Sequence, residues 1–344
     1  MSKYVRIRGP FYSWLVQKRA VTVSVMLIGV TCIAYIVSNG LGSLYIHPLD
    51  VLKALFGGGT DTNEVIVRTL RLPRTTISLL VGAMLAVSGA IMQAIVRNPL
   101  ASPDIVGVTS GASLAAVVFI YFSAGVTSIH YLPFAAVGGA AFTAFGIYWL
   151  AWRNGVTPLR LVLIGIGISA AMSAIVSFIL VMSPPYLATQ AMTWLTGSVY
   201  GASWQEVLAL LPWAVAFIPL AWGLSRHINA AELGDDVATG IGSRVQRQRF
   251  ALLAVSVALA GGAVAAAGAI GFIALMAPHI ARKLVGPAFD SVLPVSALIG
   301  GLLLLLADLI ARTAFLPNDI PAGVFTAVIG APFFMYLLVT SRNH

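Results

Sequence analysis

The 344 residues predict an all-α polytopic membrane protein of about ten transmembrane helices, on three observations. First, 59% of the chain is hydrophobic and 9% charged, where a soluble domain carries about 25% charged residues. The mean hydropathy is +0.95. Second, apolar stretches of spanning length recur along the whole chain. Third, the basic residues fall unevenly on the two sides of those stretches.

In order, the stretches lie near 20–38, 75–96, 104–122, 132–151, 160–182, 206–224, 249–267, 270–284, 289–310 and 321–340. The first follows Lys3, Arg6, Arg8, Lys18 and Arg19, a pattern shared with signal peptides. No small-x-small cleavage site follows cleanly and the run is long enough to span, so it is read as the first membrane helix, with the N-terminus inside. The gap at 39–74 holds a short helix from Pro48 to Phe56, a break at Gly57-Gly58-Gly59 and an arginine cluster. The third and eighth stretches are short and rich in Gly or Pro, as in broken or tilted helices. No gap is long enough for a large soluble domain, so the chain reads as a single transmembrane domain over 1–344.

Charge tests this topology. With the N-terminus inside, the inner side collects those five N-terminal cations, Arg97, Arg153, Arg160, Arg226, Arg244, Arg247, Arg249, Arg282, Lys283 and Arg342, against Lys53, Arg68, Arg71, Arg74 and Arg312 outside. This is the positive-inside bias, so the net charge of +9 speaks for orientation and anionic lipid, not for nucleic acid. The one cysteine, Cys32, excludes an intramolecular disulfide and a Cys-based metal site. The five histidines show no ligand spacing, and no cofactor is expected.

Residues 86–107 and 265–286 echo each other at a fixed offset: Gly89-Ala90-Ile91 with Gly268-Ala269-Ile270, Pro99 with Pro278, and Val106-Gly107 with Val285-Gly286. Both copies run from outside to inside in this topology and end near inner basic residues. An internal parallel repeat follows, with halves near 68–183 and 245–340 and turns at Asn98-Pro99 and at Pro278.

Three places stand out for function. Arg68, Arg71 and Arg74 precede the second span and Arg312 follows Asp308 by four residues. Outward arginines spaced by three favour docking of carboxylates on a partner over interfacial snorkelling. Asp308 is the one carboxylate placed within a span away from its first two residues, and an i,i+4 pair with Arg312 is favoured over a proton-relay role. Between the sixth and seventh spans, Leu233, Val237 and Ile241 form an apolar stripe beside Gly234, Ala238 and Gly242, with Glu232, Asp235 and Asp236 elsewhere. A short cytoplasmic amphipathic helix with an acidic rather than basic polar face suits a protein partner.

Catalytic motifs are absent: none of the four lysines sits in a P-loop, and there is no H-E-x-x-H or G-x-S-x-G. The chain is not read as an enzyme, and if ATP drives it another chain must hydrolyse that ATP.

The ordered set Arg71-Leu-Pro-Arg74, Ser88-Gly-Ala-Ile-Met-Gln-Ala94, Arg97-Asn-Pro-Leu-Ala101, Gly107-Val-Thr-Ser-Gly-Ala112, Trp194-Leu-Thr-Gly-Ser198, Gly268-Ala-Ile-Gly-Phe-Ile273, Ala277-Pro-His-Ile-Ala-Arg282, Leu306-Ala-Asp-Leu-Ile-Ala-Arg312 and Pro321-Ala-Gly-Val324 resembles the iron-siderophore, haem and vitamin B12 permease family of bacterial ABC importers. The resemblance covers about 40–340. It implies a type II importer permease in the bacterial cytoplasmic membrane, both termini inside, with membrane lipid around it. It pairs with a second permease subunit, identical or paralogous, and works with two cytoplasmic ATPases and an extracytoplasmic binding protein. By the same resemblance Arg71, Arg74 and Arg312 dock the binding protein. The segment with Glu232, Leu233, Gly234, Asp235, Val237, Ala238, Gly240, Ile241 and Gly242 couples to the ATPase. Thr157, Pro158 and Leu159 stand at the inner gate, where Pro158 replaces an expected small hydroxyl residue. The fifth and tenth helices line the pathway, and the cargo class is a ferric siderophore, with haem and cobalamin as alternatives. The competing reading is an ion-coupled secondary transporter using Asp308.

Overall fold

The computed structural model describes residues 4–8, 13–123, 128–315 and 319–341; Lys3 and Arg342, counted in the charge bias, lie outside them. A short antiparallel hairpin of β1 (Tyr4–Arg8) and β2 (Ser13–Gln17) precedes the helices. It is a small exception to the all-helical expectation. All ten predicted stretches are helices: α1 (Lys18–Gly40), α4 (Leu72–Val96), α5 (Val108–Phe122), α6 (Leu132–Ala151), α7 (Pro158–Met182), α9 (Trp204–Gly223), α12 (Val245–Ala267), α13 (Ile273–Val285), α14 (Phe289–Thr313) and α15 (Ala322–Ser341). Among the described residues eight helices are long and apolar enough to cross a membrane, and the two that fall short are α5 and α13, the stretches expected to be short.

The remaining helices are connectors. α2 (Pro48–Leu55) starts on Pro48 at its first position, where a missing N–H costs nothing, and His47 Nδ1 accepts the Leu49 N–H at 3.3 Å. α3 (Asp61–Val65) runs through a π-helical turn, Ile66–Arg71, into α4. α8 (Pro185–Leu195) was not expected; at 11 residues with polar Thr and Gln it is too short and too polar for a span. α10 (Ser225–Glu232) and α11 (Asp235–Gly240) replace the single amphipathic helix expected at 231–242. The break falls at Gly234, whose φ of 108° is a conformation that side-chain-bearing residues rarely adopt.

α4 is the central mast, packed by α14, α12, α13 and α9. Its span is 78% buried, against 6% for α1 and 11% for α7. Lipid offers no hydrophobic drive for helices to associate, so close packing and buried polar bonds must hold them. Gly82 and Gly300 supply the first: a Cβ on Gly82 would stand 2.2 Å from the Gly300 carbonyl oxygen, so α4 and α14 meet backbone to backbone. Ser88 and Ser256 supply the second, with hydroxyls 2.8 Å apart and each donating to the other's carbonyl, at 2.8 and 3.1 Å.

The two echoing segments end alike and begin differently. Gly107 (φ 69°) and Gly286 (φ 84°) each terminate a helical turn. Gly89-Ala90-Ile91 is helical inside α4, whereas Gly268-Ala269-Ile270 lies between α12 and α13. Asn98-Pro99 does form a turn, with Asn98 Oδ1 accepting the Leu100 N–H at 2.9 Å. Pro278 does not: the expected turn is corrected to an interior position of α13. Its missing N–H frees the Ala274 carbonyl four residues back. Gln93 Nε2 of α4 points at that oxygen and at the Leu275 oxygen, at 3.5 and 3.4 Å, and Gly89 removes the side chain that would block the approach. A side chain from a neighbouring helix thus meets a carbonyl that proline leaves open, as membrane helices tolerate.

Candidate functional site

Polar chemistry gathers at the two ends of α4. At the first end the π-helical turn and Pro73 bring Arg71 and Arg74 onto the mast. Arg74 Nε donates to both Asp308 oxygens at 3.0 and 3.2 Å, and its Nη2 lies 2.9 Å from Oδ1. Arg74 also reaches Asp319 at 3.0 Å and lies over the Tyr200 ring at 5.5 Å. The expected Asp308–Arg312 pair is present but long, Nε to Oδ2 at 3.8 Å. The principal partner of Asp308 is therefore Arg74, not Arg312. The reason is geometric: across the α4–α14 crossing Arg74 presents a two-pronged face to the carboxylate, whereas Arg312 is aimed elsewhere.

Arg312 and Arg71 are aimed at the last turn of α1. Arg312 donates to the Ser38 carbonyl, to Ser38 Oγ at 2.6 Å and to the Leu41 carbonyl at 3.1 Å. Arg71 donates to the Asn39 carbonyl at 2.8 Å and to the Leu44 carbonyl at 2.5 Å. A helix ends with carbonyls that have no intrahelical partner and a partial negative charge. Two arginines from α4 and α14 cap that end, which explains why basic residues stand on the side that the charge bias leaves poor. Arg71, Arg312 and the Arg74 side chain are only 7, 7 and 11% exposed. The three expected docking residues come together as one cluster, but their guanidinium groups are committed within the chain. Arg68, whose side chain is 47% exposed and paired with Glu64, and Lys53, 63% exposed and paired with Asp50, are accessible cations at this end.

At the other end α4 stops on Arg97, held in the left-handed region at φ 54°. Its Nε donates to the Ala231 carbonyl at 2.8 Å and its Nη2 pairs with Asp235. Arg249, in the second turn of α12 and 5% exposed, gives Asp235 two bonds at 2.8 and 3.0 Å and donates to the Val156 carbonyl. Burial pushes the Asp235 carboxyl up, but the bonds and charge of Arg249, then of Arg97, outweigh it and hold the group below the usual aspartate range. Glu232 moves the other way: burial raises it, against the charge of Arg282.

The expected coupling residues sit around this aspartate. Leu233, Val237 and Ile241 are 62, 51 and 65% exposed, Ala238 is buried, and Gly240 and Gly242 are exposed. The apolar stripe is therefore uncovered in the chain itself. The expected gate residues follow the same hub: Thr157 precedes α7, Pro158 opens it half-buried, and Leu159 is 70% exposed. The sequence reading missed the Arg97–Asp235–Arg249 cluster and the Arg74–Asp308 pair. The signal available was an excess of charge beside apolar helices, without a register to pair it.

The FecCD transport family matches residues 30–340. The chain is 51% identical to the achromobactin transport system permease of Dickeya dadantii (strain 3937), over 90% of this chain and 88% of that one. It is 45% identical to the iron(3+)-hydroxamate import system permease of Bacillus subtilis (strain 168), over 90% and 94%. A solved inward-facing structure of a metal-chelate type ABC transporter superposes with a TM-score of 0.82 at 29% identity, over 93% of this chain and 99% of that one. With the match spanning nearly the whole helical bundle, this multi-pass membrane chain belongs to the FecCD transport family.

Proposed function

We propose that the chain is the permease subunit of a binding-protein-dependent ABC importer in a bacterial cytoplasmic membrane, and that it moves a ferric siderophore inward. The observation that carries this reading is the uncovered apolar stripe Leu233–Val237–Ile241 on a segment bonded to both α4 and α12, within a chain of this family. Three exposed apolar residues on and beside the short α11 suit a groove on a partner ATPase. The Arg97 end is then cytoplasmic, as are both termini. The exposed apolar faces of α7 and α15, with Phe178, Val181, Val328 and Met335 between 63 and 77% exposed, suit the pathway and a second permease subunit. The relatives at 51 and 45% identity are named for iron–siderophore cargo and support that reading, while a cobalamin import permease at 44% keeps cobalamin as the alternative that the test separates.

The Arg74 end faces the binding protein in this reading. Arg71 and Arg312 hold the platform, and Arg74 is the docking member: Asp319, whose side chain is 35% exposed, occupies it until a carboxylate from the partner takes its place. The ion-coupled alternative is disfavoured because Asp308 is fully buried against two arginines, a poor place for a proton to exchange.

The test is growth of a deletion strain on single iron sources, with iron-55 uptake measured for ferric achromobactin, ferric hydroxamates and haem, and uptake of cobalt-labelled cobalamin measured beside them. Rescue confined to ferric siderophores and lost when the ATPase is inactivated is expected. Uptake that survives ATPase loss but collapses with an uncoupler overturns the reading. The variant Leu233→Asp with Val237→Asp should abolish co-purification of the ATPase.

A further inference from the structure

We propose that Asp235 is a positioning residue that ties the ATPase-coupling segment to the gate loop, with Arg249 as the intermediary. The inference rests on the reading of α10–α11 as the ATPase contact.

The mechanical argument begins with how loosely α11 is held. α10 is fastened to α14: Asn229 Nδ2 donates to Asp290 Oδ1 at 2.8 Å, and Asn229 Oδ1 accepts the Phe289 N–H at 3.0 Å. α11 follows the Gly234 break, and its Val237 and the Ile241 that caps it are exposed. Asp235, its first residue, carries its ion pairs to the mast and to α12. A push on the stripe reaches α4 and α12 through this carboxylate, beside the buried Ala238 and the Ser243–Gln248 bond that also hold α11.

From there the path is short. Arg249 is buried, and among the described residues Asp235 is the carboxylate it pairs with. A buried charge separated from its partner is expensive, so Arg249 follows Asp235 or holds it in place. The other arm of the same guanidinium holds the Val156 carbonyl. The Val156 N–H is held by Gln246 Oε1 at 3.0 Å, from the first turn of α12. Both backbone groups of fully buried Val156 are thus gripped by α12 side chains. The next residue is Thr157, and α7, the helix that lines the pathway in this reading, begins at Pro158. Gly155 (φ 115°) leaves room for that grip: a Cβ there would stand 2.8 Å from Gln246 Nε2. Residues 14 and 93 positions apart from Arg249 are joined through a single side chain. Coupling requires an element with two arrangements that both sites bias, and the proposal assigns that role to α11 with the 152–157 turn.

The test uses the permease co-purified with its ATPase in lipid nanodiscs. Cys32 is replaced by Ser, and Thr157→Cys carries an environment-sensitive fluorophore at an exposed position. In the otherwise native complex, ATP should change the emission. Asp235→Asn should lower the ATP-driven emission change about tenfold when it is expressed per assembled complex and per ATP turned over. Arg249→Gln should act alike, and the double variant should be no worse than either single one, the signature of a shared path. An undiminished emission change in Asp235→Asn overturns the proposal, as does an emission loss matched by an equal loss of ATP turnover or of assembly. If the native permease does not co-purify with the ATPase, or the stripe variant still does, the reading of the coupling segment itself has failed, and this is seen before any fluorescence is recorded.

Discussion

The two ends of α4 carry the same chemistry in opposite surroundings. At one end Arg74 meets Asp308, which is fully buried and braced by a second arginine. At the other end Arg97 and Arg249 meet Asp235, whose side chain is 38% exposed. The buried pair joins two long helices, α4 and α14, that already touch at Gly82 and Gly300, so it has little freedom to rearrange. The half-exposed pair joins a mast to a six-residue helix beyond a glycine break, so its strength is open to water, salt and a partner. An ion pair locks when buried between rigid elements, and serves as an adjustable joint when one side is a short exposed segment.

Breaking each joint should separate these roles. The largest loss is expected at the buried end: Arg74→Ala or Asp308→Ala strands a charge and should cost about 3–5 kcal/mol in unfolding experiments in detergent. Replacing both with leucine should recover much of that loss, and a double variant no better than the singles would show that the pair does not act as a unit. Next come Arg71→Ala and Arg312→Ala, which leave α1 carbonyls without donors, at about 1–3 kcal/mol each. Hydrogen exchange should quicken in the last turn of α1 and leave the α12 interior unchanged. At the exposed end Arg97→Ala should cost less than about 1 kcal/mol, and the difference from wild type should fade in about 0.5 M salt. A salt-insensitive loss there would contradict the comparison.

Acidity sharpens the contrast further. The Asp235 carboxyl is depressed, so its contribution is fully present above the ordinary aspartate value of about 3.9 and is lost as pH falls through the lower folded value. The Asp235 joint should be indifferent to pH between about 5 and 8. Glu232 is raised, so its ionisation opposes folding as pH climbs past the ordinary value, and Glu232→Gln should stabilise slightly at neutral pH, by up to about 0.5 kcal/mol. A loss of stability in that variant would mean that the charge is used by a partner or by Arg282.

Much of the bundle was legible because each spanning helix is a local object. The charge-free run 161–182 of α7 and the Leu302–Leu306 stretch of α14 announce themselves by hydropathy alone, and α5 and α13 were visible as short. The Asn98-Pro99 turn was readable too, since both residues favour turns. Pro278 misled because a proline reads as a turn unless a neighbouring helix offers a donor, and Gln93 stands 185 positions away. α8 was missed because 11 residues of mixed polarity match neither a span nor a loop.

By itself the sequence determined the ten apolar stretches that become helices, the clustering of arginines before the mast and the apolar residues Leu233, Val237 and Ile241. Those follow from composition and spacing along one stretch of chain. The tertiary structure alone decided which carboxylate each arginine meets. Arg74 and Asp308 are 234 positions apart, and the packing of α4 on α14, closest at Gly82 and Gly300, brings them to bonding distance. It also decided that Arg71 and Arg312 cap α1 and that Arg249 joins Asp235 to Val156. Ion pairing depends on the position of one polar atom against another within about 4 Å, and between distant helices that position is set by packing.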